Sequence, residues 1–312
     1  MDKKYRPLVS VILPTRNRFK LLKKSLDSVL NQTYPNLEVI VIDDASEDKT
    51  RSYLKAMTDP RVKLIWCEIR QGPAIARNMG LRKAQGELIA FNDDDDLWLK
   101  DKLKIQVNAL MKAEKKVGVV YVRIKRKRKG HEEFIPDRKK RKNEGRLTKA
   151  LLKENFIGLP AVMVKREFVK KAGFFDEKMP RNEDWEWFVR LSQVGHFLYL
   201  PQVLVESLLL PSGITKNQSL LLQANKHFYQ KHQEKIEKNK KIAALWQFRL
   251  GDAYYHLNKM KRARSHFFQA FRKKPTFKYF RAMVKTLLGK RVSEGIISVK
   301  IKIKESFGGR KN

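Results

Sequence analysis

NLEVIVIDDASEDKT, residues 36–50, carries the pattern that decides the fold. Its apolar, β-branched run Val39 to Ile42 ends in two carboxylates, Asp43 and Asp44, and a polar stretch leads on toward a helix. A short apolar run bounded in this way reads as a buried strand. Ser46 is the expected N-cap of the following helix, with Glu47 and Asp48 in the first turn, where negative charge complements the helix dipole. The same order recurs on both sides. Upstream, LVSVILP (8–14) precedes FKLLKKSLDSVLNQ (19–32), whose Leu21, Leu22, Leu26, Val29 and Leu30 fall at helical spacing. Downstream, RVKLIWCE (61–68) and GELIAFND (86–93) flank PAIARNMGLRKAQG, which opens on Pro73 and closes on Gly86 as helices prefer. Alternating strands and helices imply an α/β domain with a mostly parallel, buried, Rossmann-like sheet. Ligands of such sheets bind beyond the carboxyl ends of the strands. Thr15, Arg16 and Asn17 follow the first run, Asp43 and Asp44 end the second, and Asp93 to Asp96 follow the fourth, so three strand ends converge on one crevice.

The acid at that crevice stands out because the chain is strongly basic, with 69 Lys and Arg against 33 Asp and Glu and a formal net charge of +36. Such an excess points to polyanionic partners without distinguishing nucleic acid, anionic lipid and sugar phosphate. The length, 312 residues, suits one large α/β domain with an appendage, and 42% hydrophobic residues can fill a core. A single cysteine, Cys67, excludes an intramolecular disulfide and any multi-cysteine zinc site. The charged N-terminus is unlike a signal peptide, and no apolar run approaches the ~18 residues of a membrane span. The expectation is a cytoplasmic protein, either soluble or peripheral at the inner face of the membrane.

Past residue 115 the pattern changes. Residues 123–149 are crowded with Lys and Arg and read as a surface hairpin or loop turning at Gly130. GLPAVMVKREFVKKAGFFDE returns to strand then helix, and NEDWEWFVRLSQVG is an amphipathic helix with acidic residues at its start. Beyond about residue 216 all patterning is helical. The division expected is an α/β domain over 1–215, a helical region over 216–292 and a basic tail over 293–312.

Four consecutive aspartates cannot all be buried as charges without a cation. Either they form a solvated acidic cap for a helix beginning near Leu99, or they are an oxygen-ligand site for Mg²⁺ or Mn²⁺, ions that take few carboxylates and bridge to substrate phosphates. The position at a strand end favours the second.

SVILPTRN, VIVIDDASEDKT, GPAIARNMGLRKAQGELIAFNDDDDLWLKDKL, GFFDE and EDWEWFVRL occur in one order over residues 7–210. Together they resemble family 2 glycosyltransferases with the A-type nucleotide-diphospho-sugar transferase fold. The resemblance implies a metal-dependent, inverting, hexosyltransferase-type enzyme of cell-surface polysaccharide or lipopolysaccharide synthesis. Its donor would be UDP-, GDP- or dTDP-linked, and its acceptor a glycan or a lipid-linked sugar. Carried onto this chain, it makes Asp93 and Asp95 the ligands of Mn²⁺ or Mg²⁺ and aims Asp94 at the ribose. Asp43 takes the base or ribose, while Pro14, Thr15 and Asn17 line the nucleotide pocket. Arg77 meets phosphate or forms a salt bridge to the aspartates, whereas Asp44 reads as a turn-forming or capping residue. Asp184 takes the position of the base, with Glu183 and Trp187 near the acceptor. Without the resemblance, Glu183 and Asp184 would read as a dipole-complementing helix start.

Residues 244–277 are similar to one tetratricopeptide repeat, with Leu250, Gly251, Tyr254, Ala263, Phe267, Ala270 and Pro275 at the required spacing. Gln247 holds the position usually given to tryptophan, and Trp246 lies one residue early. A single repeat cannot bury its own face, so it must pack on the α/β domain, on the helix SLLLQANKHFYQKH, or on a partner protein. A reading from another class, a basic nucleic-acid-binding or scaffold protein, accounts for charge and repeat. It gives no reason for carboxylates at three strand ends, which repel phosphate, and no module for specific nucleic acid is present. The runs Lys125 to Lys129 and Arg138 to Lys142, with the helix around Lys278 to Arg291, suit an anionic membrane surface instead.

Overall fold

The computed structural model describes residues 5–128, 131–137, 144–208 and 217–287. Two compact units divide the chain, Met1–Lys178 with Asn182–Ser212, and Met179–Arg181 with Gly213–Asn312.

In the first unit β1 (Val9–Thr15), α1 (Phe19–Leu30), β2 (Leu37–Asp44), α2 (Thr50–Lys55), β3 (Val62–Cys67), α3 (Pro73–Lys83) and β4 (Leu88–Phe91) alternate as expected. Then come β5 (Asp96–Trp98), α4 (Lys102–Lys112), β6 (Val117–Arg128), β7 (His131–Ile135), α5 (Thr148–Leu151), β8 (Val162–Lys165), α6 (Arg166–Ala172), α7 (Glu183–Val194) and β9 (His196–Leu208). The strands form one sheet in the order β3-β2-β1-β4-β8-β6-β9-β5, with β7 paired to β6. The first four run parallel, and β8 joins β4 antiparallel. Val39 to Ile42 of β2 are wholly buried, which is why that strand reads as an unbroken apolar run rather than an alternation. Val9, Val11 and Leu13 on one face of β1 pack with Leu22, Leu26 and Val29, the helical stripe of α1. Registers Thr15 with Asp43 and Ile12 with Phe91 bring the carboxyl ends of β1, β2 and β4 side by side.

Three local readings need correction. Helix α2 begins at Thr50, not behind Ser46; the Ser46 hydroxyl instead accepts the Asn17 N–H at 2.9 Å and ties two loops together. Helix α3 ends at Lys83, ahead of Gly86, whose role is close packing: a Cβ there would lie 2.5 Å from the Leu8 carbonyl oxygen. The acidic run does not cap a helix near Leu99. It links β4 to β5, and α4 starts only at Lys102. The basic segment forms the β6–β7 hairpin. Gly130, Lys129 and Arg138 to Lys142 lie outside the described residues, as do Leu288 to Arg291 and the tail 293–312.

The second unit contains α8 (Gln218–Glu237), α9 (Lys240–His256), α10 (Met260–Lys273) and a further helix over 277–287. Asn217 and Asn239 cap α8 and α9 by accepting two backbone N–H groups each. Gly251 lets α9 and α10 approach, since a Cβ there would meet the Phe267 ring at 2.7 Å. Of the surfaces offered to the repeat-like pair, α8 is one that the structure fills: Phe228 stacks on Trp246 with ring centroids 4.5 Å apart, which accounts for the early tryptophan. Gln247 is buried and bonded to Tyr229 and His266 at 3.1 and 2.8 Å.

Candidate active site

The four aspartates alternate in environment across a tight turn between β4 and β5, closed by the Asp96 N–H donating to the Asp93 carbonyl at 3.1 Å. The side chains of Asp93 and Asp95 are 32% and 24% exposed, whereas Asp94 and Asp96 are buried. Asp94 accepts from the Thr15 hydroxyl at 2.9 Å and from Arg18 at 2.8 Å; burial nevertheless pushes its carboxyl up to about 6. Asp96 is raised well above the usual carboxylate range, first by burial and then by the charge of Asp93. It turns inward, and one of its oxygens has no hydrogen-bond partner in the structure. Asp95 is raised by burial and by Asp93, and the Arg18 guanidinium lies 2.9 Å from it.

Arg77 is the second organising cation. Buried, it reaches Asp93 at 2.7 Å and Glu183 at 2.6 Å, and so joins the β4 end to the start of α7. The salt-bridge reading of Arg77 therefore describes the structure, with Asp93 and Glu183 as its partners. Asn78 holds the same region together, donating to the Phe175 carbonyl and accepting the Phe175 N–H, both at 2.9 Å.

At the β2 end Asp43 is fully buried. One oxygen accepts from Arg51 at 2.8 Å and from the Ser46 N–H at 3.2 Å; the other has no hydrogen-bond partner in the structure. Asp44 accepts the backbone N–H groups of Gln71 and Gly72 at 2.5 and 3.0 Å, so it caps the loop ahead of α3 and forms no local turn. Asn17 adopts a left-handed φ of 53°, and its side-chain oxygen accepts the Glu47 N–H at 2.7 Å, so it pins one loop to another. Pro14 is half-buried in β1 beside it.

Asp184, in the first turn of α7, is partly open to solvent. Its carboxylate accepts the Trp185 N–H at 2.7 Å, and Asn155 Nδ2 lies 3.5 Å away. Burial, then the neighbouring Glu183 charge, raise it to about 7 against the lowering effect of Arg77. Its two expected companions are turned inward. Trp187 is fully buried between Phe91 and Phe175, and its indole N–H donates to the Gly173 carbonyl at 2.8 Å, so no ring face is left for a sugar. Glu183 is committed to Arg77. Core packing claims the first, against its expected place near the acceptor, and charge pairing engages the second.

Arg18, Arg51 and Asn155 were missed. Arg18 had a signal, being a cation one residue beyond the strand-end Asn17 in a fold that gathers carboxylates there. Asn155 had none, since only tertiary folding brings its loop to α7. Among the described residues no three His, Cys, Asp or Glu side chains converge as a ready metal cage.

The family model for Glycosyl transferase family 2 matches residues 10–173. The chain belongs to that family. Over 105 residues it is 44% identical to the Escherichia coli UDP-Glc:alpha-D-GlcNAc-diphosphoundecaprenol beta-1,3-glucosyltransferase WfgD, covering 34% of this chain and 42% of the relative. Over 109 residues it is 42% identical to the putative teichuronic acid biosynthesis glycosyltransferase TuaG of Bacillus subtilis, covering 34% and 43%. The matches thus span about two fifths of these relatives' length. Among solved structures, residues 1–349 of S. aureus TarS in complex with UDP-GlcNAc superpose with a TM-score of 0.61 at 18% identity, over 88% of this chain and 90% of that one. A mannosyltransferase from Pyrobaculum calidifontis in complex with GDP-Man and Mn²⁺ gives 0.55 at 23% identity, over 96% and 81%. At these identities the neighbours establish the fold, which is that of the A-type transferases.

Proposed function

We infer that this family 2 chain transfers a sugar from a nucleoside-diphosphate donor to an acceptor hydroxyl, with inversion at the anomeric carbon. The observation that carries the reading is the convergence at one crevice of two partly open carboxylates, Asp93 and Asp95, linked through Arg77 and α7 to a partly open Asp184 whose carboxyl is raised to about 7. Each open aspartate has an oxygen on an arginine, and Asp93 disfavours the charge on Asp95. A divalent cation, Mn²⁺ or Mg²⁺, would relieve that repulsion, and two carboxylates suit an ion whose remaining ligands are phosphate and water. Bound there, it would neutralise charge on the departing diphosphate. The partnerless oxygen of buried Asp43 and the polar groups of Thr15 and Asp94 offer the nucleoside its hydrogen bonds.

Asp184 acts as the base. It takes the proton of the acceptor hydroxyl as that oxygen bonds to the anomeric carbon, while the bond from that carbon to the diphosphate oxygen breaks on the opposite face. Glu183 and Arg77 hold it in place. The E. coli relative is named for a diphosphoundecaprenol-carried substrate, and by that likeness the acceptor here is a lipid-linked glycan at a membrane surface, in cell-surface polysaccharide synthesis. The α9–α10 pair is read as one tetratricopeptide-like repeat.

Thermal stabilisation by UDP, GDP and dTDP, with and without Mn²⁺, followed by transfer from the matching donors, tests this. At least one nucleoside diphosphate should stabilise the protein in a metal-dependent way. Stabilisation by random DNA and by no nucleotide would overturn the reading in favour of a nucleic-acid-binding protein.

A further inference from the structure

The helix over 277–287 has two apolar sides. One is inward: Tyr279 and Thr286 are buried, Ala282 and Met283 pack on the cluster around Tyr254, and Arg264 donates to both the Thr286 hydroxyl and its carbonyl, at 3.2 and 3.1 Å. That contact fixes the helix on the second unit. The other side consists of Phe277, Phe280, Val284 and Leu287, spaced at i, i+3, i+7 and i+10, which the helical repeat places on one face. This face is open: Phe277 is 77%, Phe280 45% and Leu287 62% exposed. It continues onto α10, where the Phe271 ring lies 6.1 Å from that of Phe280. Single exposed apolar residues are ordinary, but a contiguous aromatic stripe marks an interaction surface.

Charge identifies the occupant. From Ala253 to Leu287 the chain has no Asp or Glu and ten Lys or Arg. Lys278, Arg281 and Lys285 lie along one edge of the stripe, with Lys274 just before it. Aromatic and aliphatic side chains beside lysine and arginine on one helix, with no helix among the described residues long and apolar enough to cross a membrane, fit binding in the plane of an anionic bilayer. We propose that the Phe277–Leu287 face is a membrane-docking surface that inserts its apolar stripe among the headgroups of anionic lipid while the flanking cations meet their phosphates. It deepens the reading above, because an acceptor carried on a lipid is reached only at the bilayer surface, but the surface itself is independent of the crevice.

The test is sedimentation of the full chain with phosphatidylcholine vesicles and with vesicles containing phosphatidylglycerol, at low and raised salt. Wild type should bind the anionic vesicles, less so at raised salt, and the neutral ones weakly. Phe277→Ser with Leu287→Ser should weaken anionic-vesicle binding by about tenfold or more, as should Arg281→Gln with Lys285→Gln. Both double variants should keep wild-type stabilisation by nucleoside diphosphate, which shows that they fold and separates failure of this surface from failure of the transferase reading. Equal vesicle binding by wild type and the Phe277/Leu287 variant would overturn the proposal. So would light scattering that shows wild type as a dimer which that variant makes monomeric, without vesicle binding, since the stripe would then be a contact between two copies.

Discussion

Two arginines of the acidic crevice each bridge a pair of carboxylates, and they differ chiefly in burial. Arg77 is enclosed against Asp93 and Glu183; the Arg18 side chain is 34% exposed against Asp94 and Asp95. A buried ion pair resists rearrangement, because separating it leaves an uncompensated charge away from water. A half-exposed one trades its partner for solvent at little cost. The Arg77 end is therefore a fixed frame that sets α7 and Asp184 against the strand ends. The Arg18 end is an exchangeable counterion on the carboxylates proposed to receive the cation.

The largest effects should come from the fixed end. Asp184→Asn should lower turnover by about 10²-fold or more, the usual scale of a positioned base, while nucleoside diphosphate still stabilises the protein; normal turnover would return Asp184 to a helix-start role. Arg77→Met strands Asp93 and Glu183, and the loss of a buried pair's partner costs about 3–5 kcal/mol, read as a fall in denaturation midpoint. A midpoint near wild type would show that the frame does not depend on this charge.

The pH profile sharpens the same end. Asp184 works ionised, and its carboxyl is raised to about 7, so kcat/KM should be level above that pH and fall about tenfold per unit below it. A profile flat down to pH 5 would remove Asp184 from the rate.

Smaller effects belong to the exposed end. Asp95→Asn should abolish the enhancement of nucleotide binding by Mn²⁺ with little change in stability, which calorimetric titration with and without the ion measures. Arg18→Ala should change stability by no more than about 1 kcal/mol and make Mn²⁺ bind more tightly to the donor-free protein, as read from the spectrum of free Mn²⁺. Weaker Mn²⁺ binding in that variant would break the distinction between the two arginines.

Much of the first unit was legible in sequence because strand burial is a local signal. Val39 to Ile42, fully enclosed, had to be a continuous apolar run, and the polar residues behind each run marked the strand ends. Helix boundaries were less legible. Ser46 and Gly86 are good cap residues by type, but one is used to tie loops and the other to let the chain pass close to β1. The strands β5 and β9 escaped notice: β5 has three residues and exists only because β9 pairs with it.

By itself, then, the sequence determined the alternation of strand and helix, the gathering of carboxylates at the strand ends, and the basic character of the second unit, since each depends on residue type and short spacing. Only tertiary structure decided which aspartates face solvent, that Glu183 and Trp187 turn inward, and that Arg18 and Arg77 divide the acidic run between them. Those outcomes depend on which buried groups find a partner, and a partner can lie far off in the chain, as Arg18 does from Asp94 at 76 residues and Arg77 from Glu183 at 106.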